Sequence, residues 1–358
     1  MVFRHPEPFA LESGVALPEL EIHYQTHGTP NAAQDNVVWV CHALTGNADV
    51  HEWWDGLIGA GRLFDPARHF IVCANVLGSC YGTTGANSRC PTTGQPYRTD
   101  FPDVTIRDMA RAHQLLRCHL ELEHIWFGIG GSLGGQQLLE WAVLEPQVFD
   151  HLCPIATNAQ HSAWGIAFNE AQRMALDSDP TLADPDHPER GHRGLEAARS
   201  IAMLSYRNYA TYQSTQHEPD TEKLDNFRAV TYQRYQGRKL RERFDVDCYR
   251  TLSRAMDSHN LGRGRGGNET ALRSITAKTL VVGIQSDLLF PVPEQVFLAA
   301  HLPDARLEII ESMYGHDGFL IEYAQLEEKI RAFLSDLPAP VRARHEARRV
   351  GMPGSEVF

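Results

Sequence analysis

Two spacings alternate along the chain. Short, nearly unbroken apolar runs fall at 20–24, 37–41, 70–75, 125–130, 152–156, 279–283 and 307–310, and they predict strands. Longer stretches with apolar residues every three or four positions predict helices at 106–119, 133–144 and 323–337. The run Val37-Val38-Trp39-Val40-Cys41 has no polar residue, as expected of a strand covered on both faces of a parallel sheet. Strands alternating with helices in this way predict a doubly wound α/β sheet.

The rhythm breaks after Thr157. From there to about Ser274 the chain is polar and helix-prone, and strand signals return only at Thr279. This predicts a catalytic core built from 1–157 and 276–337, a helical lid insertion at 158–275 over the C-terminal edge of the sheet, and a solvated tail at 338–358. The segment Gly262-Arg263-Gly264-Arg265-Gly266-Gly267 superficially resembles a phosphate loop, but no strand precedes it and no Lys-Ser/Thr follows. It is expected to be a flexible return loop.

Composition narrows the class. The 358 residues are 42% hydrophobic and 22% charged, enough for one large core without staples. A net charge of -12, with no Lys/Arg block before the last residues, argues against nucleic-acid partners. No run reaches the ~18 apolar residues of a membrane span, and the N-terminus has no apolar signal core. The seven cysteines include no C-x-x-C pair, and four of them (Cys41, Cys73, Cys118 and Cys153) read as small buried hydrophobes. Reduced thiols predict a cytoplasmic setting. No metal set is expected: the sequences beginning at His51 and His345 resemble H-E-x-x-H but lack the second histidine.

The candidate chemistry starts at Gly130-Gly131-Ser132-Leu133-Gly134-Gly135. This G-x-S-x-G ends a predicted strand and opens a predicted helix, the context of a nucleophile elbow in an α/β-hydrolase fold. Ser132 is the expected nucleophile. The same fold calls next for an acid and then a histidine, each at a strand end. Asp287 follows the 279–283 strand and His316 follows the 307–310 strand, so they complete the set in that order. Two backbone amides should form the oxyanion hole: Leu133, after the serine, and Leu44, in the turn His42-Ala43-Leu44-Thr45-Gly46 that leaves the 37–41 strand.

The elbow, the His-Ala-Leu-Thr-Gly turn, Gly82-Thr83-Thr84-Gly85, Ser286-Asp287 and Tyr314-Gly315-His316-Asp317 together resemble the homoserine O-acetyltransferase family, over about residues 8–335. The resemblance implies a ping-pong O-acyltransferase of methionine biosynthesis, with acetyl-CoA as co-substrate, L-homoserine as acceptor, no bound cofactor and a homodimer formed through the helical lid. It also implies a site for the amino acid. Arg199 would hold the α-carboxylate, and Tyr206, seven residues on, would take the α-ammonium together with Asp317. Two departures, Arg207 after the tyrosine and Leu133-Gly134-Gly135-Gln136 in the elbow, leave succinyl-CoA as an alternative donor and serine as an alternative acceptor. A serine esterase with the same triad is the remaining rival.

Overall fold

The computed structural model describes residues 1–336, so the expected 338–358 tail lies outside the described residues. Ten strands follow one another: β1 (Val2–His5), β2 (Phe9–Ala10), β3 (Ala16–Leu17), β4 (Leu20–His27), β5 (Val37–Cys41), β6 (Phe70–Ala74), β7 (Ile125–Gly131), β8 (Phe149–Ile155), β9 (Lys278–Ile284) and β10 (Ala305–Ile310). Strands β2 and β3 form a small separate hairpin. The others form one sheet in the order β1-β4-β6-β5-β7-β8-β9-β10. Its β1/β4 and β4/β6 pairs are antiparallel, and every pair from β6/β5 onward is parallel.

The central strands are apolar throughout because both faces are covered. In β5, Val37, Trp39 and Cys41 pack into one core while Val38 and Val40 pack into a second on the opposite face. This is the period-two alternation of a pleated strand. The first core takes Met109 and Leu116 of helix Ile106–His119 and Leu138 and Leu139 of helix Leu133–Leu144. The second takes Leu326, Ile330 and Phe333 of helix Tyr323–Ser335. Helix Ile106–His119 starts where Thr105 and Asp108 form a reciprocal capping box, an arrangement worth about 1 kcal/mol.

The residues between β8 and β9 form no strand. They build helices Ala163–Asp177, His192–Tyr206, Tyr209–Thr215, Arg228–Arg241, Val246–Asp257 and Asn268–Arg273, with one 3-10 turn at Pro180–Ala183. Two expectations are corrected. Cys118 is exposed while Cys41, Cys73 and Cys153 are buried; helix Ile106–His119 buries a stripe through 109, 112, 113 and 116, and position 118 falls off it. The 262–267 segment is tied down rather than free. Arg263 pairs with Glu12 at 2.8 Å and Arg265 pairs with the buried Glu140 at 2.5 Å.

Candidate active site

Ser132 sits between β7 and helix Leu133–Leu144 with φ 58° and ψ -126°. That backbone region costs a residue bearing a Cβ about 1–3 kcal/mol, so the surroundings must hold it. They do so from both sides: the Ser132 amide donates to the Ile155 carbonyl at 2.9 Å, and Thr157 Oγ1 donates to the Ser132 carbonyl at 2.9 Å. The flanking glycines allow close approach. A Cβ on Gly134 would run into the Cys41 carbonyl, and one on Gly131 would meet the Phe319 ring at 2.6 Å.

The two amides expected to form the oxyanion hole lie on either side of this contact. Leu133 is the first residue of its helix, where an amide has no carbonyl one turn back. The Leu44 amide has no acceptor among the described residues. The turn carrying Leu44 is held by His42. Its Nδ1 lies 2.8 Å from the Ala43 carbonyl, and its Nε2 accepts the Val76 amide at 3.0 Å. The ring therefore carries its proton on Nδ1 and is neutral; burial pushes its pKa down to about 4. Gln137 of the elbow helix donates to the His42 carbonyl at 3.2 Å, tying turn to elbow. Nothing in the local sequence marks His42 for this role.

Asp287 and His316 meet across 29 residues of chain: Oδ2 lies 2.7 Å from Nδ1. The other carboxylate oxygen accepts the Leu289 and Phe290 amides at 2.8 and 2.9 Å. His316 sits in the 3-10 turn Gly315–Leu320 beyond β10. Its ring stacks on Phe290 (centroids 5.1 Å, 24°) and meets Phe319 edge-on at 5.4 Å, with Tyr206 at 5.8 Å. Burial, the largest single influence, lowers the pKa of this imidazole, but the Asp287 carboxylate together with Asp317 and Glu294 turns the net shift upward. Phe319 thus touches both His316 and the residue before Ser132. Among the described residues no hydrogen bond joins Ser132 Oγ to the ring, and such catalytic contacts often tighten only with substrate in place.

The three residues expected to hold the acceptor converge beside the imidazole. Arg199 and Tyr206 lie two turns apart on one face of helix His192–Tyr206, with the guanidinium carbon 5.1 Å from the centre of the tyrosine ring. Asp317 follows His316 in the same turn. Burial raises its pKa, and Arg207 and Arg199 oppose the rise. Arg207 Nε stands 3.1 Å from Asp317 Oδ2, a contact absent from the sequence-based site. Arg199 Nη1, Arg207 Nη1 and Tyr212 Oη are buried without a hydrogen-bond partner.

Beside Ser132, Gln136 donates to Asn158 Oδ1 and Asn158 donates to Glu294, each at 3.0 Å. Burial, followed by lesser contributions including repulsion from Asp287, pushes the Glu294 carboxyl up to about 7. The described residues contain no cluster of three or more His, Cys, Asp or Glu side chains able to hold a metal, and no helix is long and apolar enough to cross a membrane.

A strained serine between strand and helix, followed in chain order by a buried Asp–His pair at two further strand ends, defines an α/β-hydrolase-fold protein, and the family model for that fold matches residues 36–323. Among curated proteins, the homoserine O-acetyltransferase of Cyclobacterium marinum is 50% identical over 93% of this chain and 94% of its own length. That of Chlorobium luteolum is 46% identical over 92% of each. The chain therefore belongs to the homoserine O-acetyltransferase family. Its fold matches two solved structures at 24% identity and TM-score 0.84. One is a homoserine O-acetyltransferase from Bacillus anthracis, covering 95% of this chain and 99% of that one; the other is esterase E22, covering 93% and 100%.

Proposed function

We propose that this chain transfers the acetyl group of acetyl-CoA to the side-chain hydroxyl of L-homoserine, releasing CoA and O-acetyl-L-homoserine for methionine synthesis. The observation that carries this reading is the adjacency of His316 and Asp317 in one turn, facing Arg199 and Tyr206. A base for a hydroxyl stands beside a carboxylate for an ammonium and a guanidinium for a carboxylate. A simple ester would leave the last two without a task.

His316 takes the Ser132 proton as Oγ attacks the thioester carbonyl, and the Leu44 and Leu133 amides hold the oxyanion. The C–S bond breaks, the imidazolium returns its proton to the leaving sulfur, and acetyl-Ser132 and CoA result. Homoserine then enters with its carboxylate on Arg199 and its ammonium on Asp317 and Tyr206. His316 removes the hydroxyl proton, the alkoxide oxygen attacks the acetyl carbon, and Ser132 leaves with that proton. Asp287 holds the ring with Nδ1 protonated throughout. In this reading residues 158–275 act as a lid over the core of 1–157 and 276–337. They shield the acyl-enzyme from water and pair two copies of the chain as a homodimer. No resident cofactor is needed, and the free cysteines fit a cytoplasmic enzyme.

The test is thiol release from acetyl-CoA and succinyl-CoA with L-homoserine, L-serine or no acceptor, together with the mass of enzyme mixed with acyl-CoA alone. The expected result is an acetyl adduct on Ser132 and turnover that depends on homoserine. Preference for succinyl-CoA or serine would reassign the donor or acceptor. Sustained release without an acceptor would make the protein an esterase-like hydrolase.

A further inference from the structure

The acceptor site contains one more charge than a zwitterionic amino acid needs. Arg199 and Asp317 already match a carboxylate and an ammonium, yet Arg207 Nε lies 3.1 Å from Asp317 Oδ2, with both side chains mostly buried. The contact is an ion pair and not an aligned hydrogen bond, because Arg207 Nε and Nη1 both lack hydrogen-bond partners. The residue is held in other ways. Its guanidinium carbon lies 5.4 Å from the centre of the Tyr314 ring. Its backbone caps helix His192–Tyr206 through a bond from the Arg207 amide to the Met203 carbonyl. That backbone also abuts Gly315, where a Cβ would meet the Arg207 carbonyl carbon at 3.1 Å.

We propose that Arg207 is a positioning residue for the acceptor: its guanidinium fixes the Asp317 carboxylate in place and in its anionic form, so that the α-ammonium meets a charged partner at the base. The inference rests on the reading of this site as the homoserine site.

A carboxylate buried in a site that excludes water tends to take up a proton unless a cation stands beside it. The ionisable groups facing Asp317 are Arg207, Arg199, His316 and Asp287, with the Tyr206 and Tyr212 hydroxyls nearby, and Arg207 gives the largest opposition to the effect of burial. Without Arg207, Asp317 protonates at higher pH, and a neutral acid cannot bind an ammonium by charge. Arg207 also repels that ammonium. Its loss should therefore weaken acceptor use at low pH and leave it equal or better at high pH, so the two profiles cross.

The experiment uses full-length Arg207→Met and Arg207→Lys in separated half-reactions between about pH 6 and about pH 9. The first is the burst of CoA thiol from acetyl-CoA without acceptor; the second is consumption of the acetyl-enzyme by L-homoserine. The first half also needs neutral His316 but not Asp317, so it controls for changes at the base. The expected result for Arg207→Met is acylation within about twofold of wild type, with homoserine kcat/KM about tenfold lower at the acid end, recovering as pH rises. Arg207→Lys should restore most of the acid-end loss. A pH-independent loss, or an equal loss in both halves, would make Arg207 a structural residue and overturn the proposal. Failure of wild-type acetyl-enzyme to react with homoserine would instead overturn the functional reading and the inference with it, and would be visible before any variant is made.

Discussion

The two sides of the site are finished to different degrees. On the sheet side the groups that orient the triad are paired. Both Asp287 oxygens are occupied, both His42 ring nitrogens are engaged, and the strained Ser132 is bonded through its amide and its carbonyl. On the helical side, Arg199 Nη1, Arg207 Nε and Nη1, and Tyr212 Oη are buried without hydrogen-bond partners, Arg207 Nε making only an ion pair with Asp317. A buried donor left unpaired costs about 1–3 kcal/mol, so folding alone would not favour this arrangement. On the proposed reading the difference separates chemistry from recognition: the sheet would align the reacting groups, whereas the inserted helices carry unmet hydrogen-bonding capacity that a zwitterionic ligand would fill. Substitutions on the sheet side should therefore damage both half-reactions, and those on the helical side only the second.

The largest effect should come from the nucleophile. Ser132→Ala should lose about 10⁶-fold in turnover with the fold intact, and the Ser132→Ala/His316→Ala double variant should be hardly worse than either single one, since the two act as a unit. Steady-state turnover with a matched circular-dichroism melt checks this. Losses that multiply in the double variant would show that Ser132 and His316 work independently.

Next comes the sharpest contrast between the two sides. Arg199→Ala should cost about 2–5 kcal/mol in kcat/KM for homoserine by removing a charge-assisted contact to a desolvated carboxylate. The first burst of CoA without acceptor should be nearly unchanged. Stopped-flow thiol detection separates the halves, and an equal loss in acylation would erase the distinction drawn between sheet and helices.

A smaller loss is expected at His42. Removing an oxyanion donor outright costs ~10²–10³-fold. His42→Ala only loosens the turn that carries the Leu44 amide, so about 10- to 100-fold in kcat is expected, equally in both half-reactions. An effect confined to the acceptor half would place His42 on the recognition side instead.

How much of this was legible in the sequence follows the same division. The β5 run and helices Ile106–His119 and Leu133–Leu144 have the expected ends because local signals set them: an unbroken apolar run, a Thr105 cap and an elbow. Strand β8 begins at Phe149, three residues early, because the exposed Asp150 and the half-buried His151 at its start dilute the apolar run. Strand β1 was missed, since Val-Phe-Arg-His is a polar edge strand paired only with β4. Asp287 and His316 were found through chain order and strand ends. Arg199 and Tyr206 needed the family resemblance, because an arginine on a polar helix has no local mark. Arg207 and Glu294 were missed as site residues because their contacts lie far along the chain; Glu294 meets Asn158 across 136 residues. His42 was hidden in the same way, since it meets Val76 across 34 residues of chain and Gln137 across 95.

The smallest effect tests whether the sheet side is finished in its electrostatics as well as its geometry. Glu294 lies behind the nucleophile, bonded to Asn158, and contributes to the upward shift of the His316 pKa. Its own carboxyl is pushed up to about 7, so it is part-ionised near neutrality. Glu294→Gln keeps an acceptor for Asn158 and removes the charge. The imidazolium then loses an anion, the His316 pKa falls, and the acid limb of acylation moves to lower pH. The variant should be faster than wild type by a small factor below neutrality, where more of its base is free. It should be slower above neutrality, where a weaker base drives the proton transfer less well. Stability supplies an independent check. A carboxyl whose folded pKa lies above its unfolded value makes a contribution that is complete below about 4.5 and lost as pH rises through about 7. Glu294→Gln should therefore raise Tm relative to wild type at about pH 8 and give little gain at about pH 5. An unshifted acid limb accompanied by this Tm gain would show that Glu294 is buried near the base without acting on it.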